Sequence, residues 1–446
     1  MKKTILLPLF LGLAIAVKAD DTNAPAWLTR PLSVADCVNI ALTQNADILK
    51  AQSDLQASQG IVIQTRAVAL PQLQASGKYV DQEKTLQQSP PGFSYPTPHQ
   101  EWNSGVQLVQ TIYSGGKLVA AVKAASATKR QSIAQYQTQV SDTLLAVRLA
   151  YYDVLLAAQQ ITVNEASVNL LQKELDDQQR RFDAGTVPHF NVLRAEVAVA
   201  NAKPELFHAR SQYRIAKNAL ANLLGYNLPR AVLENIPLNL TDTFDVAPWN
   251  LGLPDAIQRA LENRTELKDL REQVELQRLN VTTAKSGYQP TVQAFAGYTW
   301  ENSQFSTDVS DEINGWNAGG QLTWSIFDGA LTYGKVKQAK ATYQKTQTEL
   351  DDRSRQIELD VRTAYSTFLE AQEVLDSQTK VQEQAEEALR EANSRFDAGT
   401  GTQLDVLDAE TSLTQARTTQ VQAQHDYSAA HARLERAIGA DLATVK

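Results

Sequence analysis

The sequence predicts a mainly α-helical chain with a β-barrel contribution, laid out as a duplicated unit of helix, hairpin, very long helix and return helix. Three observations lead there. The hexapeptide Arg-Phe-Asp-Ala-Gly-Thr occurs at 181–186 and again at 395–400. Four short stretches alternate apolar and polar residues with period two, while 117–182 and 331–396 run without a proline. The match extends in both directions: Gly225 pairs with Gly439 at the same 214-residue spacing, and Leu32–Leu73 parallels Leu251–Val292 at an offset of 219. Five residues of insertion therefore lie between Pro71 and Gln107. A period this long far exceeds the roughly 20–50 residues of solenoid repeats, so a large module has been duplicated.

The N-terminus carries Lys2 and Lys3, an apolar run from Ile5 to Val17, and small residues at Val17 and Ala19. This reads as a secretory signal over 1–19, because the run is too short to cross a bilayer as a helix. Its removal takes away three lysines, so the formal charge of −8 becomes −11. An acidic chain is a poor partner for nucleic acid. Cys37 is the only cysteine, which excludes an internal disulfide and leaves a small buried side chain on the first helix. Beyond the signal no run of 18 apolar residues occurs, so membrane contact must come from strands or an amphipathic surface.

The first unit spans 20–225. Ser33 caps a helix whose apolar positions (Val34, Val38, Ala41, Leu42, Ile48, Leu49, Leu55) recur at helical spacing up to Ala67, before Pro71. Strands follow at about 72–81 and 102–112, the first placing Leu73, Ala75, Gly77 and Tyr79 on one face, the second Trp102, Val106, Leu108 and Ile112. Pro90, Pro91, Gly92, Pro96 and Pro98 make their connection a loop. The stretch from Lys117 to Phe182, read as one helix, is about 100 Å long and needs lateral partners along its whole length. Gly185 supplies the left-handed residue that ends it, Thr186 is placed to cap the return helix, and Pro204 should kink that helix.

Residues 226–253 join the units and retain Val232, Leu233, Ile236, Leu238, Leu240 and Phe244, enough to form a small packed structure. The second unit, 254–446, repeats the order. Its strands fall at about 291–301 and 315–326, its long helix at 331–396, its left-handed glycine at Gly399 and its cap at Thr402. Four strands of about ten residues have the length to cross an outer membrane with tilt, yet four cannot close a barrel. Open edges are not tolerated in lipid, so several copies must pool their strands in a symmetric oligomer, unless the sheet merely caps a soluble bundle.

Two repeats in this order, each reversing at Arg-Phe-Asp-Ala-Gly-Thr, with Asp405-Val-Leu-Asp408-Ala after the second, resemble the TolC family of outer-membrane efflux channels over essentially the whole mature chain. The resemblance implies a homotrimer with a twelve-stranded barrel in outer-membrane lipid, a periplasmic tunnel of helices, and an equatorial belt formed by 226–253 and the chain ends. It also implies an exit duct served by an inner-membrane transporter through a periplasmic adaptor protein. Some members latch the entrance with a Tyr and an Arg bonded to an Asp. The matching places here are Phe396, Gly401 and Asn191, so closure rests on packing or on other pairs, such as Arg194 with a carboxylate.

No catalytic motif, nucleotide loop or cofactor fingerprint occurs, and the five histidines, without metal-ligand spacing, read as surface residues. Asp405 and Asp408, three apart, share one helix face just past the second reversal, where the first unit has Asn191 and Arg194. Acidic residues there also favour the helix itself. The resemblance places them, beside Phe396, at the entrance as stacked carboxylate rings that attract cations and raise some of their own pKa values. It makes the reversals, Arg181, Asp183, Gly185 and Thr186 with Arg395, Asp397, Gly399 and Thr400, the adaptor-docking tips. The expected function is thus a duct without chemistry. An exit component for secreted protein and a non-conducting tether are the alternatives.

Overall fold

The computed structural model describes residues 26–28, 30–83, 99–226, 236–244, 249–303, 306 and 308–440. The signal segment, Val232 and Leu233, and the prolines between 90 and 98 lie outside them. In order come β1 (Pro31–Leu32), α1 (Val34–Gln44), α2 (Ala46–Ala67), β2 (Gln72–Asp81), β3 (Gln100–Ser114), α3 (Lys117–Asp183) and α4 (His189–Leu223). Then follow β4 (Asn239–Leu240), α5 (Leu253–Asn263), α6 (Thr265–Lys285), β5 (Thr291–Asn302), β6 (Glu312–Thr323), α7 (Leu331–Asp397) and α8 (Gln403–Ala437). The long helices α3 and α7 have 67 residues each, and the return helices α4 and α8 have 35 each. No helix among the described residues is long and apolar enough to cross a membrane.

The helix expected over 33–67 is two helices. Asn45 ends α1 with an extended backbone (ψ 129°) and starts α2, its Oδ1 accepting from the amides of Asp47 and Ile48. Its Nδ2 reaches across to Leu223 O at 2.7 Å. The second half breaks at the equivalent Arg264, whose Nη1 donates to Ala437 O at 3.2 Å. In both halves the joint residue thus satisfies a carbonyl left over at the end of the return helix, a saving no local pattern of apolar residues announces. Gly225 seals the first joint. Its φ is +79°, and a Cβ there would stand 2.4 Å from Gln44 O. We expect Gly225→Ala to destabilise the protein by about 2 kcal/mol or more, and Gly185→Ala, which is left-handed but meets nothing within 4 Å, by about 1 kcal/mol. Equal melting temperatures of the two variants would show that the close approach to Gln44 carries no weight.

The four long strands form one antiparallel sheet in the order β2-β3-β5-β6. Direct partners share a face, so Ala75, Val106, Tyr298 and Trp316 make one row and Leu73, Leu108, Ala296 and Ala318 the next. The opposite face carries Gln74, Gln107, Gly297 and Asn317, then Ser76, Gly105, Thr299 and Gly315. One face is apolar and exposed, the other mainly polar or small, with Val109 and Phe295 side by side in one of its rows. Gln72 pairs with Val109 but Thr291 with Thr323, so the five extra residues of the first half fall in its hairpin connection. Two details depart from strict alternation. Ile112 is the extra residue of a bulge between Thr111 and Tyr113, and Trp324 and Ile326 lie past the end of β6. Trp324, Ile326 and Phe327 remain exposed at the helical end of the sheet, with Tyr79, Trp102 and Trp300 toward the hairpin end. Aromatic groups at both levels of an apolar band fit the two interfaces of a membrane.

Midway along the helices, β1 pairs in parallel with β4. Tyr151 of α3, fully buried, holds the pair from below: its hydroxyl donates to Leu32 O and accepts from Asp242 N, both at 3.1 Å. Ile236, Leu238 and Phe244 of the joining segment are buried in the same core with Cys37, whose thiol burial pushes up to about 12. A second core gathers Phe368, Tyr427 and Leu434 around α5. Beside it lies an ionic knot: Arg436 contacts Asp142 of α3 at 2.7 Å and Glu266 of α6 at 2.9 Å, and Arg264 reaches Glu266 at 2.8 Å. Two histidines read as surface residues are packed instead. His431 is 8 % exposed against Trp249 and Phe368, and His425 lies between Asp153 and Asp426. Their helix sits between two others, a tertiary circumstance that residue type does not reveal. Pro204 lies inside α4, which continues through it.

Candidate functional site: the helical tips and entrance

Both reversals close in the same way. Gly185 and Gly399 each take φ +73° and donate to the carbonyls of Phe182 and Phe396. Thr186 N and Thr400 N each reach a carbonyl five residues back, on Arg181 and Arg395, at 2.9 Å. The threonine hydroxyls donate to the same carbonyls at 2.8 and 3.1 Å. Asp and Gly thus sit where the chain turns, and the hydroxyls satisfy the last turn of each long helix. Thr186 therefore does not cap α4, whose start is Pro188 without a side-chain cap. Thr402 does cap α8, in a reciprocal box with Asp405: Thr402 Oγ1 accepts from Asp405 N, and Asp405 Oδ2 accepts from Thr402 N at 2.8 Å.

The structure brings the two tips together. Arg181 pairs with Asp177 at 2.6 Å on its own helix and with Asp397 of the second tip at 3.1 Å. Its guanidinium also lies over the Phe396 ring, 4.8 Å from the centroid. The place lacking a Tyr latch thus holds a Phe clamped by an arginine of the other repeat. Asp183 accepts from Gln179, and Arg395 is exposed close to Asp405. Asn191 receives Gln403 Nε2 on its carbonyl at 3.2 Å.

Asp405 and Asp408 are both exposed, in the first and second turns of α8. The Thr402 amide, then the Thr402 hydroxyl and the Arg395 charge, hold the Asp405 carboxyl below its usual range. Within one chain this is opposite to the upward shift expected from a crowded ring, because local hydrogen bonds favour the charged form. The Asp405 carboxylate is thus a ready negative charge at the end of the long helices.

Four polar groups were missed by reasoning from motifs: Glu174, hydrogen-bonded by Gln178, on α3, and Gln403 and Glu410 on α8. Gln178, Gln403 and Glu410 are buried, each with one side-chain oxygen lacking a hydrogen-bond partner. The available signal was Glu410 at a stripe position of α8, in step with Val406 and Leu413.

The fold and the tips invite comparison with known proteins. The family model described as "outer membrane efflux protein" matches residues 37–226 and 256–440. Outer membrane protein TolC of Vibrio cholerae is 25 % identical over 447 residues, covering 98 % of this chain and 96 % of that protein. The cobalt-zinc-cadmium resistance protein CzcC of Cupriavidus metallidurans is 25 % identical over 434 residues, covering 93 % and 94 %. Among solved structures, the Campylobacter jejuni CmeC outer membrane channel superposes with a TM-score of 0.80 at 16 % identity, covering 91 % of this chain and 85 % of that one. A CusC structure gives 0.77 at 18 %, covering 95 % and 96 %. With both halves of the fold matched, the chain belongs to the outer membrane efflux protein family and is an outer-membrane conduit without enzymatic chemistry.

Proposed function

We propose that three copies join their sheets into a twelve-stranded barrel, with their long helices forming a periplasmic tunnel that ends at the tips. The carrying observation is a four-stranded sheet with one apolar face whose edges, β2 and β6, have no partner strand among the described residues. Edge groups cannot be left open in lipid. Because the strand count is even, β6 of one copy meets β2 of the next in antiparallel order, the pairing already used throughout the sheet. Three such junctions close the ring.

In this assembly Asp405 and Asp408 ring the entrance with Phe396, and the exposed reversals at Arg181–Thr186 and Arg395–Thr400 offer a periplasmic adaptor its docking edge. The adaptor links the duct to an inner-membrane transporter, which supplies the energy. Single-channel recording on the purified trimer in planar bilayers tests the duct: a steady, cation-preferring ion current is expected. Silence from the wild type and from variants loosened at Arg181 would leave only a tether.

A further inference from the structure

The seam between α3 and α8 just above the tips is short of hydrogen-bond donors. Glu410 is 4 % exposed, and its Oε2 has no partner. Across the seam, half-buried Glu174 accepts from Gln178 Nε2 at 2.7 Å. Gln178 and Gln403, also buried, each leave Oε1 without a donor. The walls nearest Glu410 are uncharged: Ser167 and Leu171 on α3, and Ala198, Asn201 and Ala202 on α4. The α7 side is the apolar group of Ala385, Leu389 and Ala392. The basic groups nearby are engaged elsewhere, Arg417 with Glu386 and Arg181 with Asp177 and Asp397. Glu410 is thus a buried carboxyl among acceptors, one helical turn along the seam from Glu174, whose charge it feels, an arrangement that a proton relieves and a second negative charge does not.

We propose that Glu174 and Glu410 form a proton-held clasp between the α3–α4 pair and the α7–α8 pair: one proton taken up by the two carboxyls keeps the seam packed, and its loss to water drives α3 and α8 apart. That this opens the duct rests on the reading of the tips as its entrance; the separation itself does not. Burial, then the Glu174 charge, pushes the Glu410 carboxyl up to about 7 from the ordinary 4.5. Burial and Asp177 raise Glu174 as well, against the hydrogen bonds of Gln178 and Gln403 and the charge of Arg181. A carboxyl with a raised value in the packed state stabilises that state fully below 4.5, loses the contribution as pH climbs, and adds nothing above about 7. The clasp is therefore held in acid and released at neutral to alkaline pH.

The test uses intact trimers carrying spin labels at Lys173→Cys and Ser412→Cys, both exposed, with native Cys37 buried and unlabelled. The 173–412 distance is expected to lengthen and broaden from pH 5 to pH 8 in the wild-type background, and to stay short at both in E410Q. E174Q should behave likewise. Bilayer open probability should rise about tenfold over the same range, the equivalent of one pKa unit between the two states, and about twofold or less in E410Q. Asp405 and Asp408 are unchanged in that variant, so the comparison isolates Glu410. A wild-type distance indifferent to pH overturns the clasp. A distance that moves while conductance stays flat overturns the entrance reading and leaves the clasp standing.

Discussion

Arg436→Met should cost about 3–5 kcal/mol of stability, the largest loss expected from any single side chain outside the apolar cores. Arg436 is 7 % exposed and links three helices, contacting Asp142 of α3 and Glu266 of α6 from the last turn of α8. Removing it leaves the partly buried Glu266 with fewer positive partners. Burial alone would raise that carboxyl, yet hydrogen bonds from Arg264 and the charges of Arg436 and Arg264 hold it at about 2. A depressed carboxyl stabilises the fold fully above its ordinary 4.5 and ceases to do so as pH falls through about 2. Wild-type protein should therefore lose stability on acidification across this window, and Glu266→Gln should flatten that slope. Thermal unfolding in detergent, followed by circular dichroism from pH 7 to pH 2, reads both effects. An Arg436→Met variant melting within a degree or two of wild type would show the knot to be ornamental.

Neutralising the tip carboxylates is expected to change the current rather than the fold. With Asp405→Asn and Asp408→Asn combined, cation-over-anion permeability should fall severalfold and conductance should rise, since six fixed negative charges leave a narrow ring in the proposed trimer. Asparagine is the useful replacement because Asp405 also closes the capping box of α8. Alanine at 405 would add about 1 kcal/mol of lost capping to any electrostatic effect. Reversal potentials in a salt gradient give the answer, and an unchanged value in the double variant removes the aspartates from the entrance.

Much of the architecture was legible because the signals were local or repeated. Helices of 67 residues leave a long absence of proline, and the turn that ends them needs a left-handed residue, which Gly185 and Gly399 supply in an identical hexapeptide. What escaped reading depends on contacts between distant segments. Asn45 and Arg264 break their helices because each serves a carbonyl in another helix, at Leu223 and Ala437. The bulge at Ile112 arises from pairing with β5, which periodicity within β3 cannot foresee. At the tips, Asp405 was visible as an acid near a helix start. The clamp of Arg181 on Phe396 and Asp397 was not, since it joins residues from opposite ends of the duplication.

The short pairing of β1 with β4 sets a timetable for the newborn chain. Pro31 and Leu32 leave the translocation machinery early, while Asn239 and Leu240 follow about two hundred residues later, after the whole first repeat. Until they arrive, Leu32 and the Tyr151 hydroxyl lack the partners that bury them, and the first half waits unfinished with its apolar strands exposed. Contacts so distant in sequence form slowly and leave intermediates prone to stick to one another. A periplasmic escort that holds the first repeat until the joint emerges would therefore govern how much of this protein reaches the outer membrane, independently of how stable the finished duct is.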